Sequence, residues 1–198
     1  MDLDPQPRNP HAFTQGNVLK VSLAYLRTFD LLHFSPDCQG YTELRHAPGA
    51  VGKPRMIPEF RALARASGVP YVIENVRAAA WDMVNPIELR GDMFNLGTQG
   101  CKLLRQRMFE TSWGLKPPPV IRDTRPVVGV YGGHARRRAK SAGGRGTKDE
   151  WVGGHIAACS EAMGIDWMTL DELSNAIPPA YTRYIGEQFL ASVTGDAA

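Results

Sequence analysis

Short apolar runs alternate with amphipathic stretches along the chain, a pattern that predicts an α/β architecture. Residues 29–35 (FDLLHFS) form a compact apolar run stopped by Pro36, which reads as a buried strand. Residues 58–67 (PEFRALARAS) place apolar positions at helical spacing, open on a proline and end before Gly68, so a helix is expected there. Residues 69–76 (VPYVIENV) supply the next strand. Together they predict two parallel strands joined by a crossover helix, with both strand ends on the sheet edge where open α/β sheets hold their ligands. Further strands are expected at 107–113 and 126–131. Helices are expected at 149–163 (interrupted at Gly153-Gly154), at 170–176 with Asp171 near its start, and at 181–193. Residues 132–147 (GGHARRRAKSAGGRGT) offer almost nothing to pack and read as a mobile surface loop.

Composition narrows the class without naming it. With 198 residues, 43% of them hydrophobic, there is material for one core, and a single domain is the default. A formal net charge of +3 permits a nucleic-acid partner without demanding one. Three cysteines, Cys38, Cys101 and Cys159, are too few and odd in number for a secreted disulfide framework, and point to a reducing compartment. The first ten residues carry acids and prolines where a secretion signal carries bases and an apolar run, and no stretch is apolar for long enough to span a bilayer. A soluble, cytoplasmic protein is expected.

The chemistry concentrates at the two strand ends. Cys38 follows a strand in Ser35-Pro36-Asp37-Cys38-Gln39, where a proline-stiffened turn projects it from the sheet edge. A lone cysteine is most often a small buried hydrophobe. Glu74-Asn75, at the end of an otherwise apolar strand, changes the weighting, because those groups need a cleft or a satisfied network; helix capping or a pair with Arg77 is the plainer account. His155 and Cys159 have a spacing that chelates a metal on a helix, but no second pair stands nearby in sequence and no metal site is expected. Trp151 and Trp167 read as core.

Taken in order, these segments resemble the DNA (cytosine-5)-methyltransferases, most closely the compact proteins of that kind carried by bacteriophages. Pro36-Asp37-Cys38-Gln39 resembles the family's Pro-Cys-Gln nucleophile motif, and Glu74-Asn75-Val76 its Glu-Asn-Val motif. Residues 104–110 (LRQRMFE) resemble its later arginine motif, and Asn175-Ala176-Ile177-Pro178-Pro179 its C-terminal Gly-Asn-Ala-Val-Pro-Pro motif. The resemblance implies methyl transfer from S-adenosylmethionine to C5 of cytosine. Cys38 would be the nucleophile at C6, Glu74 would hold the ring at N3 and N4, Asn75 would orient the loop, and Arg107 would support the base or its phosphate. It also implies duplex DNA as partner, a flipped base, and phosphate clamps. Gln39, Arg105, Arg136, Arg137, Arg138, Lys140 and Arg145 are the candidates for DNA contact, although a solvated loop accounts for the basic run equally well. Asp2, Leu3, Asn17, Pro36, Asn175 and Ala176 are the expected holders of the cofactor.

The resemblance also has gaps. Nothing in the sequence matches the family's Phe-x-Gly-x-Gly turn; Met1-Asp2-Leu3-Asp4 resembles the end of the second strand instead. The implied fold is a Rossmann-like methyltransferase domain over residues 1–198, truncated at its N-terminus. Residues 114–150 form its small basic DNA-contacting loop, in place of a large recognition domain. A start assigned too late, a second chain supplying the first strands, or a decayed remnant would each explain the gap. Asn17 stands where an Asp is usual, and Asp37 replaces a second proline, a change expected to raise the thiol pKa of Cys38. The rival reading is an inactive methylase remnant that binds DNA.

Overall fold

The computed structural model describes residues 1–41, 52–120, 122–131, 134–138 (backbone only) and 151–195. In chain order the strands are β1 (Leu32–Phe34), β2 (Tyr71–Asn75), β3 (Ile87–Leu89), β4 (Gly97–Thr98), β5 (Cys101–Leu103), β6 (Arg107–Thr111), β7 (Val127–Tyr131) and β8 (His134–Arg138). The α-helices are α1 (Leu23–Leu26), α2 (Ile57–Ser67), α3 (Gly154–Met163), α4 (Leu170–Asn175) and α5 (Pro179–Thr194). The strands make two mixed four-stranded sheets, β1-β2-β6-β3 and β4-β5-β7-β8, so the protein is mixed α/β. Among the described residues, no helix is long and apolar enough to cross a membrane.

Two compact units divide the chain. The first comprises Met1–Glu88 and Arg107–Lys116. The expected strand–helix–strand unit is present there. β1 pairs parallel with β2, Leu32 opposite Tyr71 and Phe34 opposite Ile73, and α2 makes the crossover. Pro58 sits in the first turn of α2, where its missing N–H leaves no bond unmade. Gly68 closes the helix at φ 73°, a left-handed conformation that glycine adopts without the clash a Cβ brings. All five residues of β2 are buried, as suits a strand between a parallel neighbour and antiparallel β6. Ile57 and Ala64 of α2 join Leu32, Phe34, Tyr71 and Ile73 in the core.

One polar network crosses that core. Glu110 of β6 is 1% exposed and accepts two hydrogen bonds of 2.7 Å from Arg61 of α2. It also accepts from Val84 N–H at 2.8 Å and from the Tyr71 hydroxyl at 3.1 Å, while Arg61 donates to the Asp82 carbonyl. Helix, central strand and the 3-10 segment Arg77–Asp82 are thereby tied to one carboxylate.

The second unit comprises Leu89–Gln106 and Pro117–Ala198. Its core gathers Leu103 of β5, Val128 and Val130 of β7, Ala158, Cys159 and Met163 of α3, Leu173 of α4 and Trp151, with Trp167 packed against it. The two tryptophans and Cys159 are therefore structural, as their apolar setting suggests. Thr169 caps α4 in a reciprocal box with Glu172.

Several expectations change. The strand read at 29–35 begins only at Leu32, because Thr28 and Phe29 N–H groups close the turn of α1 onto Tyr25 and Leu26 carbonyls. The loop read at 132–147 contains β8, antiparallel to β7 with Val127 opposite Arg138 and Tyr131 opposite His134. Backbone pairing with an edge, rather than side-chain propensity, makes that strand. Residues 139–147 lie outside the described ones. The helix read over 149–163 is described from Gly154 onward, and the closing helix starts at Pro179 rather than 181.

Candidate active site

The first unit brings four of the sequence-predicted residues together at the carboxyl ends of its parallel strands. After β1 the chain turns through Ser35-Pro36-Asp37-Cys38, and β2 delivers Glu74 and Asn75 beside it. Asn75 is 2% exposed; its Nδ2 donates to the Pro36 carbonyl at 2.9 Å and its Oδ1 accepts from Val76 N–H at 2.9 Å. A carboxamide, with a donor and an acceptor, is what this position needs to hold the cysteine loop against the strand end. Asn75 is thus tied to the cysteine loop through the Pro36 carbonyl.

Glu74, 4% exposed, takes the Ser35 hydroxyl on Oε2 in a short hydrogen bond, and its Oε1 lies 2.9 Å from Arg107 Nε. Arg107 opens β6, which runs antiparallel to β2 with Glu74 opposite Phe109. The register therefore carries a cation to the carboxylate from a strand more than thirty residues away. Arg107 stands on Glu74 rather than alone at the surface. Ser35 is a member of the site that the sequence reading passes over.

Cys38 is partly exposed and free. Its carbonyl accepts from Tyr41 N–H at 2.9 Å, and Asp37 Oδ1 accepts from Gln39 N–H at 2.8 Å, so the loop is a closed turn. Gly40 is required within it: a Cβ there would meet the Pro54 carbonyl oxygen at 2.6 Å. Burial pushes the thiol pKa up, Asp37 adds to the rise and Arg107 opposes it. Asp37 thus acts in the expected direction, with burial the larger cause. The substitution Asp37→Asn keeps an acceptor for Gln39 N–H and removes the charge. At pH 8 this variant is expected to react with iodoacetamide severalfold faster at Cys38, since the thiolate fraction rises. Cys101 and Cys159 are 1% and 0% exposed and stay silent, so the label reads Cys38 alone. An unchanged alkylation rate would show that Asp37 does not govern the thiol.

The expected cofactor holders divide. Asp2 bridges in parallel to Gln15, with Gly16 N–H on the Asp2 carbonyl at 2.8 Å, which sets Asp2 and Leu3 beside Asn17. Leu3 is 65% exposed, and the Asp2 carboxylate faces solvent while accepting from Asp4 N–H. An acid, an apolar side chain and a carboxamide placed together fit a ribose and an adenine edge, although Asn17 Oδ1 already accepts from Leu19 N–H at 3.0 Å. Pro36 is buried, with its carbonyl on Asn75. In the second unit, Asn175 donates to the Asp171 carbonyl and the Ala176 carbonyl accepts from Arg105.

Arg105 is a correction. Expected on DNA, it is 4% exposed and donates to the carbonyls of Ser174 (2.7 Å), Ala176 (2.7 and 3.1 Å) and Val130, with its backbone at φ 35°. It is an internal tie of the second unit. Gln39 is exposed at the cysteine loop. Arg136, Arg137 and Arg138 lie on β8, their side chains outside the description, and Lys140 and Arg145 lie outside the described residues.

Comparison with the known protein families, with curated proteins and with solved structures gives no match.

Proposed function

We propose that this chain methylates cytosine in DNA at C5 through a covalent Cys38 adduct, on a Rossmann-like methyltransferase scaffold. The observation that carries the reading is the meeting of Cys38, Glu74, Asn75 and Arg107 at one strand edge, from three separate stretches of sequence. Cytosine C5 is a poor nucleophile until C6 is attacked. The Cys38 thiolate forms the S–C6 bond; the C5–C6 π pair moves to C4–C5 and the C4–N3 pair moves to N3, which takes up a proton. Glu74, kept in place by Ser35 and Arg107, holds that proton at N3 and so stabilises the electron-rich ring. Asn75 fixes the loop that aims the sulfur. S-adenosylmethionine, held by Asp2, Leu3 and Asn17, supplies when bound an electrophilic methyl on a sulfonium. Once C5 carries the methyl, its hydrogen leaves as a proton to water, the C5–H pair re-forms C5=C6 as the S–C6 pair returns to Cys38, and N3 gives up the proton it had taken, which restores the aromatic ring and the free cysteine.

The addition step is testable apart from the donor. Without cofactor, C5 of the adduct takes a proton from water, and elimination returns cytosine with its original hydrogen exchanged. DNA carrying tritium at cytosine C5 should therefore release label to water with the native protein and not with Cys38→Ala. Equal release by both would sink the mechanism. One observation favours a second reading: burial and Asp37 hold the thiol above its ordinary pKa, as suits a DNA-binding remnant that no longer adds to the ring. Salt-sensitive DNA binding with no tritium release would support that reading. A split enzyme is a third, since among the described residues β1 is an edge strand of its sheet, open to a strand from another chain.

A further inference from the structure

Trp81 has no place in the chemistry above, yet it stands next to it. It lies in the 3-10 segment Arg77–Asp82, which follows directly on Glu74-Asn75-Val76. Its indole is 64% exposed, a large apolar area to leave in water. The guanidinium of Arg55 sits over the ring, with Cζ 4.8 Å from the centroid. Tyr41, buried behind it, has its ring centre 6.1 Å from that of Trp81. Tyr41 also anchors the arrangement: its N–H donates to the Cys38 carbonyl, its hydroxyl donates to Asp82 Oδ2 at 2.7 Å and accepts from Ile57 N–H at 3.2 Å. One residue thus joins the cysteine loop, the tryptophan segment and the start of α2. Arg55 Nε reaches the Gly40 carbonyl at 3.4 Å.

The setting is cationic as well as aromatic. Lys53 and Arg55 are exposed on the segment that packs against Gly40. Arg77, four residues before Trp81, pairs with Glu88 at 3.6 Å. An exposed indole held by a guanidinium, with a second exposed cation two residues away along the chain, is the combination that binds a nucleic-acid strand by stacking on a base and pairing with its phosphates.

We infer that Trp81 and Arg55 form a nucleobase-stacking platform beside the Cys38 loop. It receives a base of the DNA strand that presents the target cytosine, with Lys53 and Arg55 on that strand's phosphates. The inference rests on DNA being the partner, as proposed above, but not on the methylation chemistry. A platform of this kind secures the strand on one side of the site while the target base is out of the stack.

Tryptophan fluorescence and affinity, measured with the full chain and a cytosine-containing single-stranded DNA oligonucleotide, test it. Native protein should show quenching on binding. Trp81→Ala should weaken binding about tenfold and remove most of the quenching, whereas Trp81→Phe, which keeps a stacking face, should retain most of the affinity. Lys53→Gln should lower the slope of log affinity against log salt by about 0.7. An oligonucleotide of abasic sites should bind native protein and Trp81→Ala alike. Unchanged affinity in Trp81→Ala, or an equal loss on the abasic strand, would overturn the platform. So would an oligomer that Trp81→Ala dissolves while DNA affinity stays fixed, which would make the patch a protein contact. Tritium release with an inert Trp81 variant leaves the methylation reading standing and removes this one. The tenfold loss without tritium release does the reverse, and no DNA binding at all removes both.

Discussion

Replacing Glu110 with alanine is expected to destabilise the first unit by about 3–5 kcal/mol, read as a lower urea midpoint with little change in slope. The carboxylate is 1% exposed and the Arg61 side chain 13%. Their bidentate contact is made where water screens little, and deleting the acid leaves Arg61 buried without its counter-charge. It also strips acceptors from Val84 N–H and the Tyr71 hydroxyl. A loss below about 1 kcal/mol would show that the pair behaves like a solvated surface bridge. Acid should act on the same group. Burial alone would raise the Glu110 pKa, but the hydrogen bonds from Arg61 and Val84 N–H, and the Arg61 charge, outweigh it and hold the carboxyl below its ordinary 4.5. A carboxylate depressed in the fold stabilises it above the unfolded-state pKa and loses that contribution as pH falls through the folded one. Below about pH 4.5 the native protein should therefore lose stability more steeply than Glu110→Gln.

Glu110 also shows where a sequence reading stops. Its neighbours arrive from α2, β2 and the stretch before β3, and nothing in Phe-Glu-Thr announces four donors. Rules confined to one element are legible: Pro58 and Gly68 bound α2, and the apolar run before Glu74 makes β2. The parallel pairing of β1 and β2 follows from the helix between them, and with it the edge that holds Cys38, Glu74 and Asn75. Arg105 and the β8 arginines read differently because their surroundings are remote. Arg105 is buried by carbonyls 69 and 71 residues further on, and β8 becomes a strand by pairing with β7. Trp81 and Ser35 carry faint signals: a tryptophan among alanines just past the Glu-Asn strand end, and a hydroxyl ahead of Pro36. Neither is decisive until β2 and the cysteine loop are seen side by side.

The largest catalytic effect short of removing the nucleophile is expected at Glu74. Glu74→Gln should lower the rate of tritium release, and of methyl transfer, about 10²–10³-fold, with a much smaller change in KM for DNA. Charge is what separates the two side chains. Glutamine has the same shape and still accepts from the Ser35 hydroxyl, so the loop contact survives. It lacks the negative charge that holds a proton on N3 as the ring takes up the Cys38 electrons. That charge matters most in the transition state, whereas a flipped base is bound by many contacts spread over the strand. Ser35→Ala separates this role from mere positioning. It removes one hydrogen bond that a neutral hydroxyl gives to the carboxylate and leaves the charge, so it should cost only about tenfold. If Glu74→Gln lost no more than Ser35→Ala, or lost as much in KM as in kcat, the carboxylate would be a scaffold for Arg107 and the loop. The proton at N3 would then have to be held by another group.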